Sequence, residues 1–177
     1  INGVLRPGIV HRIDMDTTGS VIVCKNDRAH NCIAEQLKTH SVTRRYYAIC
    51  HGILKADSGT IDKPVGRHPS ERKKMAVNER NGKAAITHYH VLKRFAGYTY
   101  IECELETGRT HQIRVHMSSI GHPLLGDETY GSRNFPFRLQ GQTLHAGILG
   151  FRHPTSGEYL ELEAPLPDYF RHLLEIL

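Results

Sequence analysis

The sequence predicts an α+β fold in which a mixed, mostly antiparallel sheet carries a few helices. Short β-branched or aromatic runs separated by turn residues indicate the strands, and three segments with helical spacing indicate the helices. Hydrophobic residues make up 39% of the chain, an ordinary globular share that is sufficient for a core. With 177 residues, the chain corresponds to a single domain, residues 1–177.

The first half of the chain alternates strand and helix signals. The β-branched run at residues 20–24 predicts a strand, and Asn26 is a plausible N-cap for the helix that follows. In that helix Ala29, Ile33 and Leu37 recur at helical spacing. Residues 46–50 predict another strand, and the turn residues 57–59 precede a further extended segment.

The second half predicts a hairpin, a helix and two more strands. Residues 84–95 and 98–105 are separated by a loop of hairpin length, so they should pair as antiparallel strands. Thr110 can cap a helix that places Ile113, Met117 and Ile120 on one face. Residues 143–151 and 158–163 predict strands, and a last helix begins at about residue 168.

The four cysteines and the lack of export signals indicate a reducing compartment. None of the cysteines has CxxC spacing, and Cys24, Cys50 and Cys103 lie in apolar runs, so we expect buried, reduced thiols. No apolar run approaches the ~20 residues of a membrane span, and no signal peptide opens the chain. We therefore expect a cytoplasmic protein with no membrane partner.

A basic segment at residues 67–83 carries most of the net charge of +5, since it has six basic and two acidic residues. A charge run of this size is often only a solvated loop. Because the cations are concentrated and the segment follows Gly66 and contains Pro69 and Gly82, we expect a flexible arm that contacts phosphates. The residues predicted to bind RNA in this arm are Arg72, Lys73 and Lys74.

Two polar strings are the candidates for chemistry. Residues 11–19 read HRIDMDTTG and precede the first predicted strand; the positive charge of Arg12 favours the anionic form of Asp14. Residues 106–116 read ETGRTHQIRVH and span a strand end and the first turn of a helix, where free amides attract anions. Taken singly, the first string is also compatible with a plain turn and the second with a capped helix.

Several other chemistries lack support in the sequence. There is no glycine-rich dinucleotide motif, P-loop, HExxH or GxSxG. The 13 histidines do not predict a metal site, because His111 and His116 are five residues apart and no Cys/His cluster accompanies them. A hydrolase using Asp14 and Asp16 as a carboxylate pair remains an alternative, as does an RNA-binding module without turnover.

The polar strings resemble the motifs of the RluA-type pseudouridine synthases. Residues 11–19 are similar to the HRLDxxTSG signature, and residues 44–52, RRYYAICHG, are similar to the second motif, a basic residue followed by Tyr-x-Ala. Residues 107–116, with Gly-Asp at 126–127 and Tyr-Gly at 130–131, resemble the third motif. Three motifs in the family's order are more specific than any one, and residues 59–95 look closest to the RluD branch.

This resemblance implies a catalytic role for three residues. Asp14 would be the catalytic aspartate, Tyr46 would pack on the uracil ring, and Arg114 would pair with the aspartate. Arg12 would fill the space left by a flipped base, and Arg109 and His11 would contact RNA beside it. The carboxylate would act either as a nucleophile or as a base.

The resemblance also implies the substrate and the surroundings of the domain. It implies isomerisation of specific uridines, in large-subunit ribosomal RNA for the RluD branch, without a cofactor or metal. We expect the protein to act as a monomer. The family's Lys-Pro-x-Gly strand and the S4-type RNA-binding domain of RluD-like members are missing, so the chain is expected to be a catalytic domain truncated at its N-terminus.

Overall fold

A computed structural model describes residues 8–71, 73–132 and 135–177. Within these residues the chain forms nine strands and three helices. The strands are β1 (Thr18–Gly19), β2 (Thr43–His51), β3 (Ser58–Asp62), β4 (Val65–Arg67), β5 (Met75–Val77), β6 (Ile86–Arg94), β7 (Tyr98–Leu105), β8 (Leu144–Arg152) and β9 (Tyr159–Glu163). The helices are α1 (Asp27–Lys38), α2 (Gln112–Ser119) and α3 (Asp168–Ile176).

Seven of the strands form one mixed sheet, as the sequence predicted. Six follow the order β1-β8-β2-β7-β6-β3, and β9 pairs with β8 beside this path. Only the short β1–β8 pair is parallel; the other pairs in this sheet are antiparallel. The described architecture is therefore α+β, and the predicted fold class is confirmed. None of the helices in the described residues has the length and apolarity that crossing a membrane requires.

Strand β2 lies between β7 and β8, and its side chains alternate between the two faces of the sheet. On one face Tyr46 and Ala48 join a buried cluster that includes Ile113 and Met117 of α2. On the other face Ile49 packs in a cluster to which α3 contributes its buried residues. The predicted apolar faces of α2 and α3 thus cover opposite sides of the sheet.

Most predicted elements are confirmed, because their signals are local. Asn26 Oδ1 accepts a hydrogen bond from the Ala29 backbone N–H at 2.9 Å, which caps α1 as expected. Strands β6 and β7 form the predicted hairpin, with Gly97 at positive φ in the loop. Three of the four cysteines are buried and all four are free thiols.

The strand predicted at residues 20–24 is wrong. The pairing with β8 uses Thr18 and Gly19 instead, and within the predicted run only Val23 makes a bridge, to Ile9. Gly19 is pressed against β8: a Cβ atom at this position would lie 2.2 Å from the Ala146 carbonyl oxygen. The β-branched run follows this contact as an irregular segment whose Val21 and Val23 side chains are exposed.

The N-cap of α2 and the form of the basic arm also differ from expectation. His111, in a left-handed conformation with φ 57°, replaces Thr110 as the N-cap and makes no side-chain cap bond. The basic segment was expected to be an irregular arm, but it contributes to a hairpin of β4 and β5, and Val65 of β4 packs with Val115 of α2.

Candidate active site

A cleft of about 680 Å³ opens where the loop before β1 meets β2 and the start of α2. Its lining combines the first and second motif segments with the start of the third. The lining residues predicted as site residues are His11, Arg12, Asp14, Tyr46 and Arg109. Asp16, the second carboxylate of the hydrolase alternative, is exposed and is absent from this lining.

Asp14 is held at the edge of this cleft by two groups of the third motif. Its Oδ2 lies 3.4 Å from Arg114 Nη1, and its Oδ1 lies 4.0 Å from His111 Nε2. The structure therefore brings together Asp14 and Arg114, which are 100 residues apart in the sequence. Asp14 keeps 13% of its side-chain exposure, so a substrate in the cleft can reach the carboxylate.

Arg114 is oriented by a second carboxylate, Asp127. Asp127 accepts two bonds, from Arg114 Nε at 2.7 Å and from Nη2 at 2.9 Å, and its side chain is fully buried. Asp127 Oδ1 also accepts bonds from the backbone N–H groups of Thr129 and Tyr130. Such a bidentate pair fixes the plane of the guanidinium and leaves Nη1 directed at Asp14.

The charges around Arg114 keep it protonated. Burial alone would lower the pKa of Arg114, but the carboxylates of Asp127 and Asp14 outweigh that effect and the pKa is raised. The Arg114 guanidinium also lies 5.0 Å from the centre of the Tyr130 ring, at the distance of a cation–π contact. Arg114 is thus a fixed cation beside Asp14.

Tyr46 reaches the cleft from the middle of the sheet. Burial raises the pKa of Tyr46, Arg44 opposes this effect, and the negative charge of Asp14 adds to it. The phenol is therefore protonated at neutral pH, and the largely buried residue forms part of the cleft wall. The neighbouring strands β7 and β8 pair with β2 on both sides and fix this ring in place.

His111 and Tyr130 link the carboxylate to the basic hairpin. His111 Nδ1 and the Tyr130 hydroxyl are 2.7 Å apart, and the same hydroxyl accepts a bond from the Met75 backbone N–H in β5. Burial is the main cause that lowers the pKa of His111, so this imidazole is neutral at pH 7. Neither residue had a predicted role at the site, although both belong to the third motif.

The loop that carries Asp14 is tied to the start of β8. Gln142 Nε2 donates to the Met15 carbonyl at 2.6 Å and to Thr17 Oγ1 at 3.0 Å. Thr18 Oγ1 lies 2.7 Å from Nδ1 of His145, the residue directly opposite it in the β1–β8 pair. Gln142 was missed because a single glutamine far along the chain has no local sequence signal.

The remaining predicted RNA contacts occupy different environments. His11 Nε2 accepts the Ile22 backbone N–H at 2.9 Å, so the described contact of this imidazole is with its own loop. Arg12 is exposed at the cleft, and Lys73 is exposed on the hairpin. Lys74 Nζ pairs with Glu71 at 2.7 Å. Arg72 lies outside the described residues.

The described residues contain no group of three or more His, Cys, Asp or Glu side chains that could hold a metal ion. The Asp14 carboxylate instead faces the guanidinium of Arg114 and the imidazole of His111. The chemistry that this arrangement offers is that of one carboxylate, one phenol and fixed cations.

Comparison with known proteins decides the family of the chain. Residues 1–119 match the family described as RNA pseudouridylate synthase. The chain belongs to this family. Its resemblance to the RluD branch is confirmed by ribosomal large subunit pseudouridine synthase D of Pseudomonas aeruginosa, which is 47% identical over 192 residues, covering all of this chain and 58% of that protein.

Other RNA pseudouridylate synthase relatives agree. An uncharacterized RNA pseudouridine synthase of Bacillus subtilis, YlyB, is 57% identical over 177 residues, which cover 100% of this chain and 58% of the relative. The solved structure of human RNA pseudouridylate synthase domain containing 1 has a TM-score of 0.76 and 31% identity, covering 90% of this chain and 69% of that one. The chain thus spans little more than half the length of the curated relatives it matches.

Proposed function

We propose that the protein is an RNA pseudouridine synthase that isomerises specific uridines of large-subunit ribosomal RNA. The observation that carries the proposal is that Asp14 and Tyr46, from two separate motifs, line one cleft, and that Arg114, from a third motif, contacts Asp14 there. Family membership and the names of the RluD-like relatives support the same reaction and substrate. In this proposal, residues 1–177 form the catalytic domain and act as a monomer.

The proposed reaction needs only groups that the cleft offers. The N1–C1′ bond of uridine breaks, the uracil rotates, a C5–C1′ bond forms, and the proton on C5 leaves while N1 gains one. Asp14 either attacks the sugar carbon or removes a sugar proton, and Arg114 stabilises its negative charge between steps. Tyr46 provides an aromatic surface for the uracil while it is detached. The atoms balance without a cofactor.

The target base has to leave its stack before it can enter the cleft, at a cost of a few kcal/mol. Arg12 is exposed next to Asp14 and is proposed to fill the space that the base leaves. Arg109 and His11 would contact the RNA near the flipped base. The hairpin residues Arg72, Lys73 and Lys74 are proposed to contact phosphates farther along the strand.

Asp14→Asn tests this proposal. The variant should lose detectable tritium release from large-subunit ribosomal RNA labelled at C5 of uridine, because the amide can neither attack the sugar nor accept a proton. Melting temperature and RNA affinity should stay close to those of the unchanged protein. Tritium release by Asp14→Asn at the unchanged rate would refute the assignment.

Asp16→Asn is the matched control. Asp16 lies two residues away in the same loop, is exposed and has φ 66°, a conformation that asparagine also tolerates. This variant should keep its activity. If only Asp16→Asn were inactive, the catalytic carboxylate would be Asp16 and not Asp14.

A further inference from the structure

Arg44 is a buried guanidinium in the wall of the cleft that has no carboxylate partner among the described residues. The residue is 8% exposed, and the one hydrogen bond that its guanidinium makes with a described residue runs from Nη2 to the backbone carbonyl of Glu106 at 3.1 Å. Its Nε is buried without any hydrogen-bond partner. Buried charges in proteins are usually paired, so this cation requires an explanation.

A second guanidinium, that of Arg109, lies close to Arg44 and also lacks a carboxylate in the described part of the chain. Its Nε donates to the backbone carbonyl of Ala84 at 3.0 Å. The two groups repel each other, since Arg109 contributes to lowering the pKa of Arg44, for which burial is the main cause. Both residues line the cleft.

The guanidinium of Arg44 packs against Gly108, in the loop between β7 and α2. A Cβ atom built on Gly108 would lie 2.4 Å from Arg44 Nη1, so a larger residue at this position would displace the guanidinium from its present place. Tyr46 lies two residues along β2 on the same face of the sheet, and the imidazole of His11 is near enough for its pKa to be lowered partly by Arg44. The cation is therefore placed beside the proposed uracil-binding ring.

We propose that Arg44 and Arg109 form a phosphate-binding subsite within the cleft, which receives a backbone phosphate of the RNA next to the uridine held at Tyr46. The proposal rests on the proposed RNA substrate and assigns Arg44 a role in binding. Two guanidiniums that line the same cleft, and whose partners in the described residues are backbone carbonyls, leave donors for one doubly coordinated anion. A phosphate would supply the negative charge that the described residues do not.

Replacing Arg44 by methionine tests the subsite, with binding of a large-subunit ribosomal RNA transcript measured across a series of KCl concentrations. Each phosphate contact contributes about 0.7 to the slope of log affinity against log salt for a single strand. Arg44→Met should reduce the magnitude of that slope by about 0.7, the contribution of one phosphate contact, and should weaken binding at low salt. Arg44→Lys should keep the slope, because the positive charge remains.

Arg45→Met is the matched control. Arg45 is the next residue of β2, points to the opposite face and lies 3.5 Å from Glu104. This variant makes the same charge change outside the cleft and should leave the slope unchanged. Equal slopes for the unchanged protein and a folded Arg44→Met variant would overturn the subsite, and so would equal reductions in the Arg44 and Arg45 variants.

The unchanged protein offers a second test that does not depend on a variant. At equal ionic strength, uridine 5′-monophosphate should raise the melting temperature more than uridine at the same concentration, because only the nucleotide carries the phosphate. Equal shifts would overturn the subsite. The binding measurements do not require turnover, so the two proposals can fail separately. If the unchanged protein released no tritium but its salt slope depended on Arg44, only the proposed isomerisation would be refuted. If tritium release were normal but Arg44→Met left the salt slope unchanged, only the subsite would be refuted.

Discussion

At the scale of single residues, the candidate site depends on one guanidinium shared by two carboxylates. Asp127 accepts hydrogen bonds from Nε and Nη2 of Arg114, and Asp14 accepts one from Nη1. Asp127 is fully buried and is already saturated by Arg114 and two backbone N–H groups, whereas Asp14 is partly exposed. The two carboxylates therefore have different tasks: one orients the cation and the other is left available to a substrate.

Asp127→Asn should reduce both stability and activity. The change leaves Arg114 buried with only the more distant Asp14 as its anion, and breaking a buried pair costs about 3–5 kcal/mol. We expect a fall of that size in the free energy of unfolding, measured with urea, and a large loss of tritium release. Asp57→Asn is the control, because Asp57 is 82% exposed and pairs with Arg94 at the surface.

The Asp57 control should cost no more than about 1 kcal/mol. A similar cost in both variants would mean that the Arg114–Asp127 pair has no special importance for stability. Full activity in the Asp127 variant would mean that Arg114 does not need this carboxylate to face Asp14.

At the scale of secondary-structure elements, the first polar loop is fixed by β8, the strand that pairs with β1. Gln142, immediately before β8, holds both the Met15 carbonyl and the Thr17 hydroxyl. Asp14 directly precedes Met15 and lies three residues before Thr17. The position of its carboxylate therefore depends on the contacts with Gln142 as well as on its own loop. Gln142 is a positioning residue and does not contact the proposed reacting atoms.

Gln142→Ala should therefore lower kcat for tritium release more than it raises KM. The loop loses two hydrogen bonds, each of which contributes about 0.5–1.5 kcal/mol, and Asp14 occupies its reactive position for a smaller fraction of the time. Gln140→Ala, at an exposed position two residues earlier, should change neither constant. A purely structural role would instead appear as a lower melting temperature with kcat unchanged.

The sequence predicts these elements well wherever the determining contacts are local. The cap of α1, the β6–β7 hairpin and the apolar face of α2 all depend on residues within a few positions of one another. The strand predicted at residues 20–24 was wrong because β propensity measures how well residues fit a strand and not where a partner strand lies. That partner is β8, more than 120 residues later, and it pairs with Thr18 and Gly19.

The candidate site divides in the same way. Asp14, Tyr46 and Arg114 were predicted from the motif resemblance, and the structure places Asp14 and Tyr46 on one cleft with Arg114 bonded to Asp14. The second set of contacts was not predicted, because nothing local indicates that Asp127 clamps Arg114 or that Gln142 holds the Asp14 loop. Arg44 was read only as a basic position in the second motif, since neither its burial nor its lack of a carboxylate can be inferred from sequence.

At the scale of the whole molecule, several histidines are held neutral by burial and affect stability together. Burial lowers the pKa of His11, His51, His111 and His116 from the ordinary value of 6.5. His116 is fully buried, and its ring nitrogens contact the Thr87 hydroxyl at 2.9 Å and the Lys63 carbonyl at 2.9 Å. A second proton on this ring would prevent Nδ1 from accepting a hydrogen bond from the Thr87 hydroxyl and would place a charge in a fully buried site.

These shifts predict a loss of stability in mild acid. Below the ordinary pKa of 6.5 the unfolded chain binds protons that the folded chain does not, so the free energy of unfolding should fall as the pH decreases from about 7.5 to about 5.5. Urea unfolding at the two pH values measures the difference. Replacing His116 by glutamine should reduce the pH dependence, since one of the groups that bind protons on unfolding is removed.

The control for this pH dependence is His172→Gln, at a side chain that is 69% exposed on α3. That variant should retain the full difference in stability between the two pH values, because it leaves the buried imidazoles unchanged. If stability were constant over this range, the buried imidazoles would have to be protonated in the folded protein as readily as in the unfolded chain. In that event the hydrogen bond from Ile22 to His11 would break in mild acid, and the loop that carries Asp14 would lose a contact at the pH where His11 gains its proton.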